Sequence, residues 1–75
     1  GDVYKRQDPS SKQIIRYDLS TEEIVRTKAR TNDCSDFVVV GDWVYSVSED
    51  ESSRMHLLMS NLLTGEEYLR VLLVK

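Results

Sequence analysis

The chain has almost nothing with which to staple itself. It holds one cysteine, Cys34, and one histidine, His56, in 75 residues. A lone cysteine excludes an internal disulfide, and one Cys with one His falls short of the usual ligand set of a structural zinc site. Positive charge is not in surplus either: 10 Lys and Arg stand against 13 Asp and Glu, a net charge of -3. That balance supplies no basic field for nucleic acid or an anionic membrane surface. The wholly apolar runs are a handful of residues long, against the roughly 20 that a helix needs to cross a bilayer, so no membrane insertion is expected. The nucleophile elbow G-x-S-x-G and the EF-hand spacing D-x-[DN]-x-[DN]-G are both missing. No cofactor is expected. What remains is one small domain at most. A chain this short buries only about 60% of the surface its unfolded form exposes, so without staples its stability is marginal unless neighbours help.

What is present is a series of short β-branched and aromatic stretches divided by polar turns. "DPSSK" (8–12) is loop chemistry. "QIIRYDLS" (13–20) and "IVRTKA" (24–29) flank a polar "TEE". In the second stretch Val25, Thr27 and Ala29 alternate with Ile24, Arg26 and Lys28, the period of a strand with one wetter face. "RTNDCS" (30–35) reads as a loop. "DFVVV" (36–40) and "WVYSVS" (43–48) flank Gly41-Asp42, a tight hairpin in which Gly41 takes a positive φ. A polar "EDESS" (49–53) follows, then "RMHLLMSN" (54–61), "LLTGEE" (62–67) and "YLRVLLV" (68–74), with Gly65 placed for the left-handed residue of a hairpin loop. The expectation is six strands. The competing element is a helix over "SSRMHLLMSNLL" (52–63), which sets Met55, Leu58, Met59 and Leu62 on one face with Ser53 as its cap. A repeat decides for the strand.

"DLSTEEIVR" (18–26) and "NLLTGEEYLR" (61–70) are nearly the same phrase. Asp18 aligns with Asn61, Leu19 with Leu62 and Thr21 with Thr64, an offset of 43. Treating Gly65 as an insertion sets 22–26 against 66–70 at an offset of 44. A period in the low forties is that of a four-stranded propeller blade, whose outer hairpin the phrase would describe. Residues 13–30 then supply the last two strands of one blade, 36–75 supply all four strands of the next, and "RTNDCS" crosses between them. "DFVVVGDWVYSV" and "YLRVLLV" are apolar on both strand faces, as packing between neighbours on two sides requires.

"IIRYDLSTEE" and "VVVGDWVYSV" resemble the repeats of a bacterial family of unknown function whose members are predicted to form β-propellers. In that family a "GDWIYY"-like strand is followed by an "IYRMNLDG"-like strand. More distantly, both stretches resemble TolB-type and prolyl-oligopeptidase-type blades. The likeness covers roughly residues 13–74. It departs from the family pattern at "STE", where the family has Gly in the turn, and at "MHLLMSN", which is less aromatic than the usual strand. It implies an all-β antiparallel meander, about one and a half blades of a propeller, with the neighbouring blades of the parent chain as its partners. No catalytic residue transfers with it. The implied function is a non-enzymatic scaffold or a binding surface for a protein or carbohydrate ligand, in an extracellular or cell-surface parent. Two alternatives stand beside it: a piece of the propeller that gates a serine hydrolase, and a self-contained six-stranded β-meander. The opening "GDVYKRQ" (1–7) resembles a translated sequencing-adapter remnant, and residues 1–12 are read as that scar or as a disordered tail. "EYLRVLLVK" ends with no closing turn, so both ends are read as cut.

Several residues merit weighing as chemistry. His56 would need a serine and a carboxylate aligned with it to act as a base, and the default for it is a position on a strand face. Glu49, Asp50 and Glu51 form an acidic tip, which reads as a solvated turn rather than a metal site. Glu22-Glu23 and Glu66-Glu67 read as turn residues rather than an acid and base pair. Cys34 has no neighbouring cation in the sequence to activate it. No catalytic, cofactor or metal residue is assigned. The candidate interaction surface is Trp43 and Tyr45, which share a strand face with Val47 beyond; packing between blades is the first expectation for them and ligand stacking the second.

Overall fold

The computed structural model describes residues 2–6, 10–32 and 36–72. Its strands are β1 (Asp2–Arg6), β2 (Gln13–Asp18), β3 (Ile24–Arg30), β4 (Phe37–Val40), β5 (Trp43–Glu49), β6 (Met55–Asn61) and β7 (Glu67–Leu72). They form a three-stranded sheet, β1-β2-β3, and a four-stranded sheet, β4-β5-β6-β7. Every neighbouring pair is antiparallel, so the chain is all-β and each sheet is a meander. Among the described residues no helix is long and apolar enough to cross a membrane. Met55–Asn61 is extended and paired on both sides. Ser53, the cap of the rival helix, instead takes a positive φ of 62° in the β5–β6 turn.

Two expectations are corrected. The strands among the described residues number seven rather than six, three in the first sheet where two were expected, because Asp2–Arg6 is a strand and not a tail. Val3 and Tyr4 suit a pleated surface, and β1 pairs along β2 from Asp2 opposite Asp18 to Arg6 opposite Ile14. The second correction concerns the repeated phrase. Gly65 is not an insertion, for the two hairpins correspond at a constant offset of 43. The Asp18 carboxylate accepts from the N–H groups of Ser20 and Thr21 at 2.8 and 3.2 Å, and the Asn61 side-chain oxygen accepts from Leu63 and Thr64 at 2.9 and 3.0 Å. Glu22 N–H donates to Asp18 O as Gly65 N–H donates to Asn61 O, and Asp18 N–H donates to Glu23 O as Asn61 N–H donates to Glu66 O. Glu22 (φ 62°) therefore occupies the left-handed position that Gly65 (φ 79°) fills in the other turn. The strands keep step as well: Tyr17 opposite Ile24 corresponds to Ser60 opposite Glu67, and Ile15 opposite Arg26 to Leu58 opposite Leu69.

The sheets meet along β3. A β3 edge facing protein would leave its outward N–H groups unpaired and costly. Lys28 N–H instead donates to Leu62 O at 3.2 Å, Arg30 N–H to Ser60 Oγ at 3.0 Å, and Asn32 N–H to Ser46 Oγ at 2.9 Å. This is why Ser46 and Ser60 are buried inside a strand face. Asn32 Nδ2 further donates to the carbonyls of Ser46 and His56, tying the connector to β5 and β6. A bulge between Gln13 and Ile15 frees the Ile14 carbonyl, which accepts from Thr27 Oγ1 at 2.6 Å. Around this seam Ile14, Ala29, Val44 and Leu62 form the buried cluster, with Tyr4, Phe37 and Val39 packed against it.

There is little other interior. The molecule measures 45 × 21 × 18 Å, with a radius of gyration of 13.1 Å. A compact chain of this length has roughly 11 Å. Most apolar residues lie on the sheets' other faces.

Candidate interaction surface

Strand parity divides each sheet into two faces. The inner face of the four-stranded sheet carries Phe37, Val39, Val44, Ser46, Leu58 and Ser60, and it meets β3. The outer face carries Trp43, Tyr45 and Val47 from β5. Val38 and Val40 of β4 stand beside them, then Met55, Leu57 and Met59 of β6, then Tyr68, Arg70 and Leu72 of β7. Among the described strand residues Glu49 and Arg70 are its only charged side chains. Val38 and Val40 are each 60% exposed and Tyr68 is 52% exposed, while every residue of β7 is exposed. Sheets with one wet face alternate apolar with polar residues; this sheet does not.

Trp43 and Tyr45 lie together on this face, half-buried among their neighbours. Trp43 also packs against Tyr68, with ring centroids 5.8 Å apart and planes tilted by 44°. Tyr68 Oη donates to a Glu66 carboxylate oxygen at 3.1 Å. That bond and the Glu66 charge raise the Tyr68 pKa above its ordinary value, so the phenol stays neutral. The surface can bury apolar area and stack aromatic rings. Tyr68, Leu57 and Met59 are not marked as surface residues by the sequence. Counting by twos from Trp43 across the ladder finds them once the register is known.

The remaining candidates are occupied elsewhere. His56 Nε2 lies 2.8 Å from Asp50 Oδ2, which also accepts from Arg54 Nε at 3.1 Å. Asp50 Oδ1 accepts from the N–H groups of Ser52 and Arg54, each at 2.9 Å. The His56 bond, followed by these backbone donors, holds the Asp50 carboxyl well below the usual carboxylate range. Asp50 thus organises the β5–β6 turn from within. Ser48 stands opposite His56 in the ladder, but among the described residues no hydrogen bond joins their side chains. Glu67 forms a two-pronged ion pair with Arg30 across the sheets, both contacts at 3.0 Å, and its hydrogen bonds and charge raise the Arg30 pKa. Glu66 and Glu67 therefore serve different partners. Among the described residues no three His, Cys, Asp or Glu side chains gather as a metal site requires. Cys34 lies outside the described residues.

The offset of 43 also relates the faces. Ile14, Arg16, Val25, Thr27 and Ala29, on the side of the three-stranded sheet that meets its neighbour, correspond to Leu57, Met59, Tyr68, Arg70 and Leu72 on the bare face. β1 stands to β2 as β5 stands to β6, with Val3 matching Val44 and Tyr4 matching Tyr45. The face by which one sheet meets its neighbour, buried at Ile14 and Ala29, is thus the counterpart of the outer face of the other. No family model, curated protein or solved structure matches the chain.

Proposed function

We propose that the chain is a run of consecutive sheets from a propeller-type repeat scaffold. It is non-enzymatic; its sheets stack on neighbouring units of the parent chain, and the stacked units together present a surface for a protein or carbohydrate ligand. One observation carries this reading: the face by which the three-stranded sheet docks recurs, at a constant offset, as the bare apolar face of the four-stranded sheet. A sheet apolar on both sides needs a neighbour on both sides. The engagement of His56 and Asp50 inside a turn supports the non-enzymatic part.

The test uses Trp43, the sole tryptophan. A chain lengthened by a second copy of residues 33–75, with phenylalanine in place of the tryptophan of the added copy, gains one more four-stranded unit and keeps Trp43 as its only tryptophan. Stacking predicts that Trp43 emission moves to the blue, that acrylamide quenches it less, and that the unfolding midpoint rises relative to the original chain at high dilution. An unchanged Trp43 with an unchanged midpoint would remove the basis for a stacked scaffold.

A further inference from the structure

We infer that a second copy of this chain docks on the bare face of the four-stranded sheet, head to tail, through the outer face of its own three-stranded sheet. The inference rests on the stacked-sheet reading and extends it to what the chain does by itself. The outer face of the three-stranded sheet carries Val3, Ile15, Tyr17, Leu19 and Ile24, with Lys5 and Arg26. Moved by the offset, Ile15 falls on Leu58, Tyr17 on Ser60 and Leu19 on Leu62, while Val3 matches Val44. These are inner-face residues or, for Leu62, part of the buried cluster with them. Each chain therefore carries one exposed copy of either partner of the contact it already makes internally. Joining the exposed pair between two chains continues that established interface.

The chemistry of the faces agrees. Leu19 and Ile24 are 58% and 66% exposed. Ile24 occupies the position corresponding to Glu67 and Tyr17 that of Ser60, while Lys5 and Arg26 stand where the internal face has Ser46 and Leu69. Contiguous apolar faces of this kind mark interaction sites. The charges run the same way. Residues 1–35 hold seven Lys and Arg to six Asp and Glu, whereas 36–75 hold three to seven, so head-to-tail contact sets the basic part against the acidic part. Pairing two four-stranded sheets face to face has no internal counterpart. A head-to-tail contact leaves a free face at each end, and further copies add until a ring closes or a filament grows.

Sedimentation of the whole chain over a concentration series tests this with two single-face variants. Leu57→Glu puts a carboxylate on the bare face beside Arg70, and Ile15→Glu puts one between Lys5 and Arg26, so each new charge has a partner in the ladder. The expected result is a wild-type mass at least twice that of a single chain and rising with concentration, with each variant falling to the single-chain mass. An equimolar mixture of the two variants restores a dimer and stops there, because one matched pair of faces survives. Circular dichroism checks that β structure is kept; where it is lost, Val38→Lys and Ile24→Lys, at the most exposed positions, replace the pair. A wild type that stays a single chain, an Ile15→Glu chain that still dimerises, or aggregation that neither variant relieves would overturn the inference. If Trp43 is nevertheless covered in the lengthened chain, the stacked-sheet reading survives and only self-docking falls.

Discussion

The β2–β3 and β6–β7 hairpins make the same turn from different side chains. Asp18 heads one and Asn61 the other, and each side-chain oxygen accepts the same two backbone N–H groups. Thr21 and Thr64 each accept from the N–H two residues on. At the left-handed position one hairpin has Glu22 and the other Gly65. The turn is therefore set by an Asx residue at its head and a threonine three residues later; glycine eases the geometry without being required. The strands that leave these turns differ more in surroundings than in form. β3 is buried at Ala29, against the neighbouring sheet, and β7 is exposed along its whole length.

The largest break in this comparison comes from one matched pair of positions. Ile14 is fully buried at the seam, while Leu57 holds the corresponding place on the bare face. Ile14→Ala removes packed methyl groups and should cost about 2–5 kcal/mol. Leu57→Ala, in a single chain at high dilution, should cost less than about 1 kcal/mol. Urea unfolding followed by circular dichroism measures both.

A smaller effect with opposite signs separates the two turns. A Cβ on Gly65 would lie 3.3 Å from the Lys28 Cβ and carbonyl oxygen, at a φ that L-residues avoid. Gly65→Ala should therefore destabilise by about 1–2 kcal/mol, while Glu22→Gly relieves a strained φ and should stabilise by up to about 1 kcal/mol. Thermal unfolding of the two variants gives the signs. If both substitutions shift stability the same way, the two positions are not equivalent.

The smallest difference is in pH dependence. The hydrogen bond from the Ser20 hydroxyl, then the Ser20 and Thr21 backbone donors, lower the Asp18 pKa, whereas the amide of Asn61 does not titrate. A depressed carboxylate stabilises the fold fully above its unfolded value of about 3.9, and that contribution is lost as pH falls through the lower folded value. Acidification below about pH 4 should therefore weaken the wild type more than Asp18→Asn, with the two profiles parallel above it. Stability measured from pH 2 to pH 7 checks this.

Much of the architecture was legible because periodicity and turn chemistry are local. Gly41, the polar tips and the two-sided apolar strands could be read directly, and Trp43 with Tyr45 marked the bare face. Three things could not. The identical Glu-Glu pairs drew the alignment to an offset of 44, whereas backbone hydrogen bonding keeps 43. Ser46 and Ser60 look like a wet strand face, since their burial depends on N–H groups supplied by a distant edge. Asp2–Arg6 became a strand because β2 offered it an edge, which the likeness of "GDVYKRQ" to a sequencing remnant hid.

The most direct measurement is the cost of Leu57→Ala in two contexts. In the original chain at high dilution it should be below about 1 kcal/mol, and in the chain lengthened by residues 33–75 it should rise to the 2–5 kcal/mol range expected at Ile14. An equally small cost in both would mean that nothing of this kind covers the outer face.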